Sequence, residues 1–233
     1  MGTIETWMMK HSLLFAGATR HPFIRSIRDG TLHLSAFKRW LCCGLPYWMV
    51  QDHAYKEQDY IFVSAFVPFV ASVLLKAWKE SDDNSDMEII LNGLATLEGE
   101  LKWFKNEASK WGISLSSSVP LKANLDYCSF VESLMSSDVE YTVAITAYWA
   151  IEAVYQASYS HCLEEDSNTP AELKEACERW GNDVFGQYCF SLQQIANRCL
   201  AKAPDDLVSK AEVVFLRVLK HEVEFWNMSC GGT

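Results

Sequence analysis

The chain predicts an all-α bundle folded as one domain. Apolar residues recur at spacings of three and four along almost the whole sequence. No stretch alternates strictly for more than a few residues. Only 11 Gly and 6 Pro occur, and most stand between periodic segments rather than inside them. Helices are expected at 4–17, 21–29, 34–43, 47–79, 85–111, 121–136, 138–163, 170–180, 182–202 and 205–229. The connections are short, so a single domain over 1–233 is expected.

Each boundary has a local cause. The first segment ends before Thr19-Arg20-His21-Pro22, where Pro22 suits a first helical turn. Asp29-Gly30 closes the second with a residue that tolerates the left-handed conformation. Gly44-Leu45-Pro46 interrupts the third. Pro68 lies inside the apolar fourth segment and is expected to kink it. Ser81-Asp82-Asp83-Asn84-Ser85 and Ser114 to Pro120 are polar connections. Thr169-Pro170 and Ala203-Pro204-Asp205 start the last segments with cap-like residues.

Composition excludes several classes. The 30 acidic and 20 basic residues give a net charge of −10. That field repels phosphate backbones and anionic lipid, so no nucleic-acid or membrane partner is expected. The amino-terminal residues lack the pattern of a secretory signal. The eight Cys include no CxxC pair, so they read as reduced, mostly packed thiols in a cytoplasmic protein. The paired Glu-x-x-His of a di-iron bundle, HExxH, GxGxxG, the P-loop and GxSxG are all absent. No metal or organic cofactor is called for. His11 and His21 are lone histidines, read first as caps or core residues and second as haem ligands.

The informative feature is acid on apolar stripes, where a carboxylate is costly without a partner or a task. In 205–229, Val208, Phe215, Leu219 and Trp226 share a face. Glu222 falls about 20° from its centre at roughly 100° per residue. In 138–163, Glu152 is alone among Tyr141, Ile145, Tyr148, Trp149, Tyr155 and Tyr159. In 47–79, Asp52 and Asp59 share a face with Trp48, Tyr55, Phe62 and Phe66, about 10 Å apart along a continuous helix. At most one of the two aspartates is expected to reach the pocket of the glutamates. Inward carboxylates between aromatic walls suit a flat, nitrogen-rich ligand.

Several stretches resemble the TenA/THI-4 family of thiamin-salvage proteins. These are HPFIRSIRDGTL (21–32), FKRWL (37–41), QDYIFVSAFVPFVASVLLKA (58–77), AYWAIEAVYQAS (147–158), RWGND (179–183) and EVEFW (222–226). The resemblance is nearest to the plant-type TENA-E branch that lacks an active-site cysteine. It implies a haem-oxygenase-like helical fold and hydrolysis of 4-amino-5-aminomethyl-2-methylpyrimidine, or deformylation of its N-formyl precursor, without a cofactor. Matched to the family's motifs, Glu222 and Glu152 are the expected catalytic pair. Asp59, Phe62 and Tyr155 are the expected substrate-binding residues by the same match, and Trp149 is expected to offer a further aromatic face to the substrate. The family typically forms homo-oligomers, so a homodimer is expected. The chain departs from the pattern by an insertion at 42–57, which carries the second Gln-Asp pair with Asp52. The competing readings are a non-catalytic pyrimidine-binding or regulatory protein and a haem-oxygenase-like oxidoreductase.

Overall fold

The computed structural model describes residues 2–33, 36, 58–110 and 120–230. Among these residues there are ten α-helices and no strand. They are α1 (Thr3–Lys10), α2 (Ser12–Thr19), α3 (Pro22–Arg28), α4 (Gln58–Glu80) and α5 (Ser85–Lys110). After these come α6 (Lys122–Ser133), α7 (Tyr141–His161), α8 (Ala171–Gly181), α9 (Asp183–Lys202) and α10 (Asp205–Ser229). The expected helix 34–43, residues 47–57 of the fourth segment, the insertion with Asp52, and Cys42 and Cys43 lie outside the described residues.

Helix α7 is the axis of the bundle. Its only acidic residue is Glu152, and it is apolar almost all round, as a helix enclosed by others must be. It packs against α10, α9, α8, α4 and α2. Helix α4 packs on α5 and α6 and completes the wall around its neighbour's acidic centre. By length and composition α4 is apolar enough to cross a membrane. In this fold it is a core helix whose apolar face includes Phe62, Phe66, Phe69 and Val73. The helix continues through Pro68, so the missing N–H does not end it.

The first expected helix is divided at His11, whose φ of −112° and ψ of 27° leave the helical region. The two halves have different partners: α1 lies on α9, whereas α2 lies on α10 and α7. His11 Nε2 meets Glu212 Oε1 of α10 at 2.7 Å and fixes the corner. Periodicity alone does not reveal such a break, because both halves keep an apolar stripe.

Two local devices place the ends of α4 and α8. Gln58, fully buried, accepts the Leu121 backbone N–H at 2.7 Å through Oε1. Asn124 Nδ2 donates to the Gln58 carbonyl at 2.6 Å. The first turn of α4 is therefore tied to the start of α6, with Asp59 next along the chain. At the end of α8, a Cβ added to Gly181 would lie 2.6 Å from the Tyr159 carbonyl carbon of α7. Only glycine allows that approach of two backbones. Gly181→Ala is expected to destabilise the fold by about 1–3 kcal/mol, read from chemical denaturation, because backbone rather than a flexible side chain must yield.

Candidate active site

Residues of α4, α5, α7 and α8 enclose a cavity of about 320 Å³, its mouth included. The chamber is a narrow slot. Asp59, Phe62, Val63 and Phe66 line it from α4, and Leu97 and Glu100 from α5. Ile151, Glu152 and Tyr155 come from α7, and Trp180 from α8. No cysteine is among these lining residues.

Asp59 is fully buried. Its Oδ1 accepts the Tyr155 hydroxyl at 2.6 Å. Its Oδ2 has no partner among the described residues. Burial pushes its pKa up to about 8; the Tyr155 hydroxyl works against the rise and the nearby Glu100 adds to it. Glu222, also fully buried, has the same construction. Oε1 accepts the Tyr127 hydroxyl at 2.6 Å and Oε2 is unpartnered among the described residues. Burial raises it to about 8, with Tyr127 opposing and Asp59 reinforcing.

Glu152 is half-buried, because its surface opens into the cavity while protein surrounds the chamber. Burial, then the charges of Glu100 and Glu222, raise its pKa well above the usual carboxylate range. These carboxyls cannot all ionise together without a cation among them.

Asp59, Glu152, Phe62 and Tyr155, all expected from the sequence, thus meet in one chamber. Glu222 does not line it. It is held by Tyr127, whose ring centroid is 4.4 Å from that of Phe62, and its charge reaches Asp59 and Glu152. Trp149 is the correction. It is fully buried and stacks on Phe215 with centroids 5.7 Å apart, away from the cavity lining. Trp149 and Glu152 are three residues apart, about 300° around the helix axis. The 60° that remains turns the indole toward α10. The aromatic cage expected around Glu152 is also looser than its spacing suggests. The Tyr141 hydroxyl reaches Asp86 at 3.3 Å, and Tyr148 pairs with Tyr188 at 2.5 Å between oxygens.

Three contributors were not singled out from sequence. Tyr127 anchors Glu222. Its ring is sandwiched on one side by His221, 5.0 Å away and inclined by 7°. Trp180 closes one wall and hydrogen-bonds to Glu100. Glu100 brings another carboxylate, pushed up to about 7 by burial, with Arg179 and Trp180 opposing the rise. A signal for Glu100 existed: it continues the stripe Ile90, Gly93, Leu97, Phe104 at spacings of three and four. The many other charges of α5 obscured it.

His11 and His21 are both engaged, His11 with Glu212 and His21 with Asn227 at 3.0 Å. Among the described residues no three His, Cys, Asp or Glu side chains are grouped to hold a metal ion.

A model of the TENA/THI-4/PQQC family matches residues 50–232. The chain belongs to the TENA/THI-4/PQQC family. It is 63% identical over 231 residues to a Glycine max protein named "Probable bifunctional TENA-E protein". That match covers 99% of this chain and 94% of the relative. Among solved structures, a TenA homologue from Pyrococcus furiosus superposes with a TM-score of 0.80 at 21% identity. The superposition covers 97% of this chain and 98% of that one. A TenA homologue from P. horikoshii gives 0.79 at 15% identity, covering 100% of both chains. The helical fold expected from the sequence is therefore the fold of TenA homologues. The family match begins at residue 50, after the HPF and DGTL stretches.

Proposed function

We propose that this TENA/THI-4/PQQC-family protein is a thiamin-salvage aminopyrimidine hydrolase of the TENA-E type. Its substrate is 4-amino-5-aminomethyl-2-methylpyrimidine, and its N-formyl precursor is a second substrate. The observation that carries the reading is the slot between Phe62 and Trp180, with the unpartnered Oδ2 of buried Asp59 among its walls. The close relationship to a protein named bifunctional TENA-E supports it. A cavity lining without cysteine supports placement in the cysteine-independent branch.

The chemistry follows from the groups present. Asp59 accepts N–H groups of the aminopyrimidine edge through Oδ2 while Tyr155 holds Oδ1, a charge-assisted contact out of water. Phe62 presents a ring to the heterocycle. Glu222, in its ionised form, takes the proton of the attacking water, while the departing nitrogen, bound as an ammonium, leaves as ammonia with no further proton needed. The C–N bond breaks, a C–O bond forms, and the products are the hydroxymethyl pyrimidine and ammonia. Glu152 lies within the electrostatic reach of Glu222 and orients the water. For this, the substrate-bound chamber must extend past Phe62 to Oε2 of Glu222.

The assay is ammonia release from the aminomethyl pyrimidine and formate release from the formylamino compound by the purified protein. Tight binding with no release of either product would replace the enzyme by a pyrimidine-binding protein.

A homodimer in a reducing cytoplasm belongs to the same reading. The free thiols of the described cysteines are consistent with such a compartment. Leu13 of α2 is 88% exposed, with Leu14 and Met9 exposed near it in sequence, and supports association between copies. Leu13→Glu is expected to shift sedimentation from dimer to monomer; an unchanged sedimentation coefficient would exclude this face.

A further inference from the structure

Glu100 is the one carboxylate of the chamber to which the proposed chemistry gives no task. It comes from α5, whereas the lining residues that the mechanism uses come from α4 and α7. Its surroundings are constructed. The Trp180 indole N–H donates to it, and Arg179 stands close enough to act on its charge. Arg179 is itself fixed over the Trp103 ring, 4.8 Å from its centroid, and Trp103 Nε1 is tied to Glu175 Oε1 at 3.0 Å. Trp103 and Trp180 meet edge to face at 5.5 Å. A charge-bearing side chain with this much support is held in one place with one orientation.

The second observation concerns what the chamber lacks. None of its lining residues is a cation, whereas Asp59, Glu100 and Glu152 are all acids. Asp59 is fully buried and its Oδ2 is unpartnered among the described residues. Such a chamber is completed by a ligand carrying positive charge. Asp59 has the heterocyclic edge to bind, so a second charge on the ligand falls to Glu152 and its neighbour Glu100. The two glutamates interact directly: Glu100 is the foremost charge acting on Glu152.

We propose that Glu100 determines the substrate specificity of this chamber: together with Glu152 it receives the primary ammonium group of the aminomethyl pyrimidine. The neutral formamide brings no charge to that position and gains nothing from it. This rests on the reading of the chamber as an aminopyrimidine site and deepens it by dividing the two substrates between residues. The groups facing Glu100 are Asp59 of α4, Glu152 and Tyr148 of α7, Arg179 and Trp180 of α8, and Tyr188 of α9. Among them Arg179 alone carries a positive charge, and it keeps Glu100 the most readily ionised acid of the chamber.

The test compares both pyrimidines in the wild type and Glu100→Gln. For the amine, KM rises at least tenfold with kcat within about threefold, the mark of lost ground-state recognition. For the formamide, both constants stay within about twofold. Parallel changes for the two substrates, or no change for either, would overturn the assignment. Arg179→Gln keeps the question answerable if the first variant folds poorly. Loss of that cation is expected to move the acid limb of kcat/KM for the amine upward by about one pH unit and to leave the formamide profile in place. A merely structural role would move neither limb. Amine binding followed by tryptophan fluorescence separates this from the hydrolase reading. Weakened binding in Glu100→Gln upholds the role of Glu100 even if the wild type releases no ammonia, and unaltered binding refutes it even if turnover is robust.

Discussion

Glu222→Gln is expected to lower kcat for ammonia release by about 10²–10⁴-fold, the usual worth of a positioned acid or base, with KM changed far less. The amide matches the carboxyl in size and still accepts the Tyr127 hydroxyl through its oxygen, so the pocket survives while proton transfer is lost. Tyr127→Phe separates orientation from chemistry. The phenol favours the ionised form of Glu222, so its loss raises the glutamate further. The pH–rate profile is expected to move upward, with a smaller fall in kcat than in Glu222→Gln. Retention of wild-type kcat by Glu222→Gln would remove Glu222 from the mechanism and leave Glu152 as the remaining candidate for proton transfer.

Asp59→Asn is expected to abolish tight pyrimidine binding and, at the same time, to stabilise the ligand-free protein at alkaline pH. Both outcomes come from the same burial. In the folded chain Asp59 holds its proton up to about pH 8, whereas an unfolded aspartate releases it near the ordinary carboxyl value of about 4. Between these limits the unfolded state binds fewer protons, so stability falls as pH rises. At about 1.4 kcal/mol per unit, this one group accounts for up to several kcal/mol across that window. Asparagine removes the penalty. The Tm of the wild type should therefore decline from pH 5 to pH 8 more steeply than that of the variant, and the two should converge at low pH. Identical slopes would show that Asp59 reaches water in the folded protein. A cationic ligand reverses the penalty by pairing with the ionised form, so its stabilising effect should be larger at pH 8 than at pH 5.

The acid side chains of the site were more legible than their partners. Glu222 falls between Phe215 and Trp226 on a stripe that can only face inward, and it is fully buried. Asp59 and Glu152 were visible for the same reason. Glu100 followed the same rule on α5, but its helix carries charges on every side and the rule loses contrast there. Tyr127 and Trp180 read as ordinary core aromatics, since nothing along a helix says which hydroxyl or indole will meet a carboxylate from another. Trp149 failed in the opposite direction. It lies on the charge-free helix beside Glu152, and only the packing of α10 against α7 shows its ring turned to Phe215.

By itself the sequence determined the helical class, most of the helix boundaries and the inward direction of three acids, because each depends on the rotation of a residue about its own helix axis. The tertiary structure decided the division of the first helix at His11, the pairing of Asp59 with Tyr155 and of Glu222 with Tyr127, the place of Glu100 in the chamber, and that of Glu222 outside its lining. Periodicity specifies which face of a helix avoids water. Which neighbour covers that face depends on the approach of backbones far apart in the chain, as at Gly181 and Tyr159, and no local pattern encodes that distance.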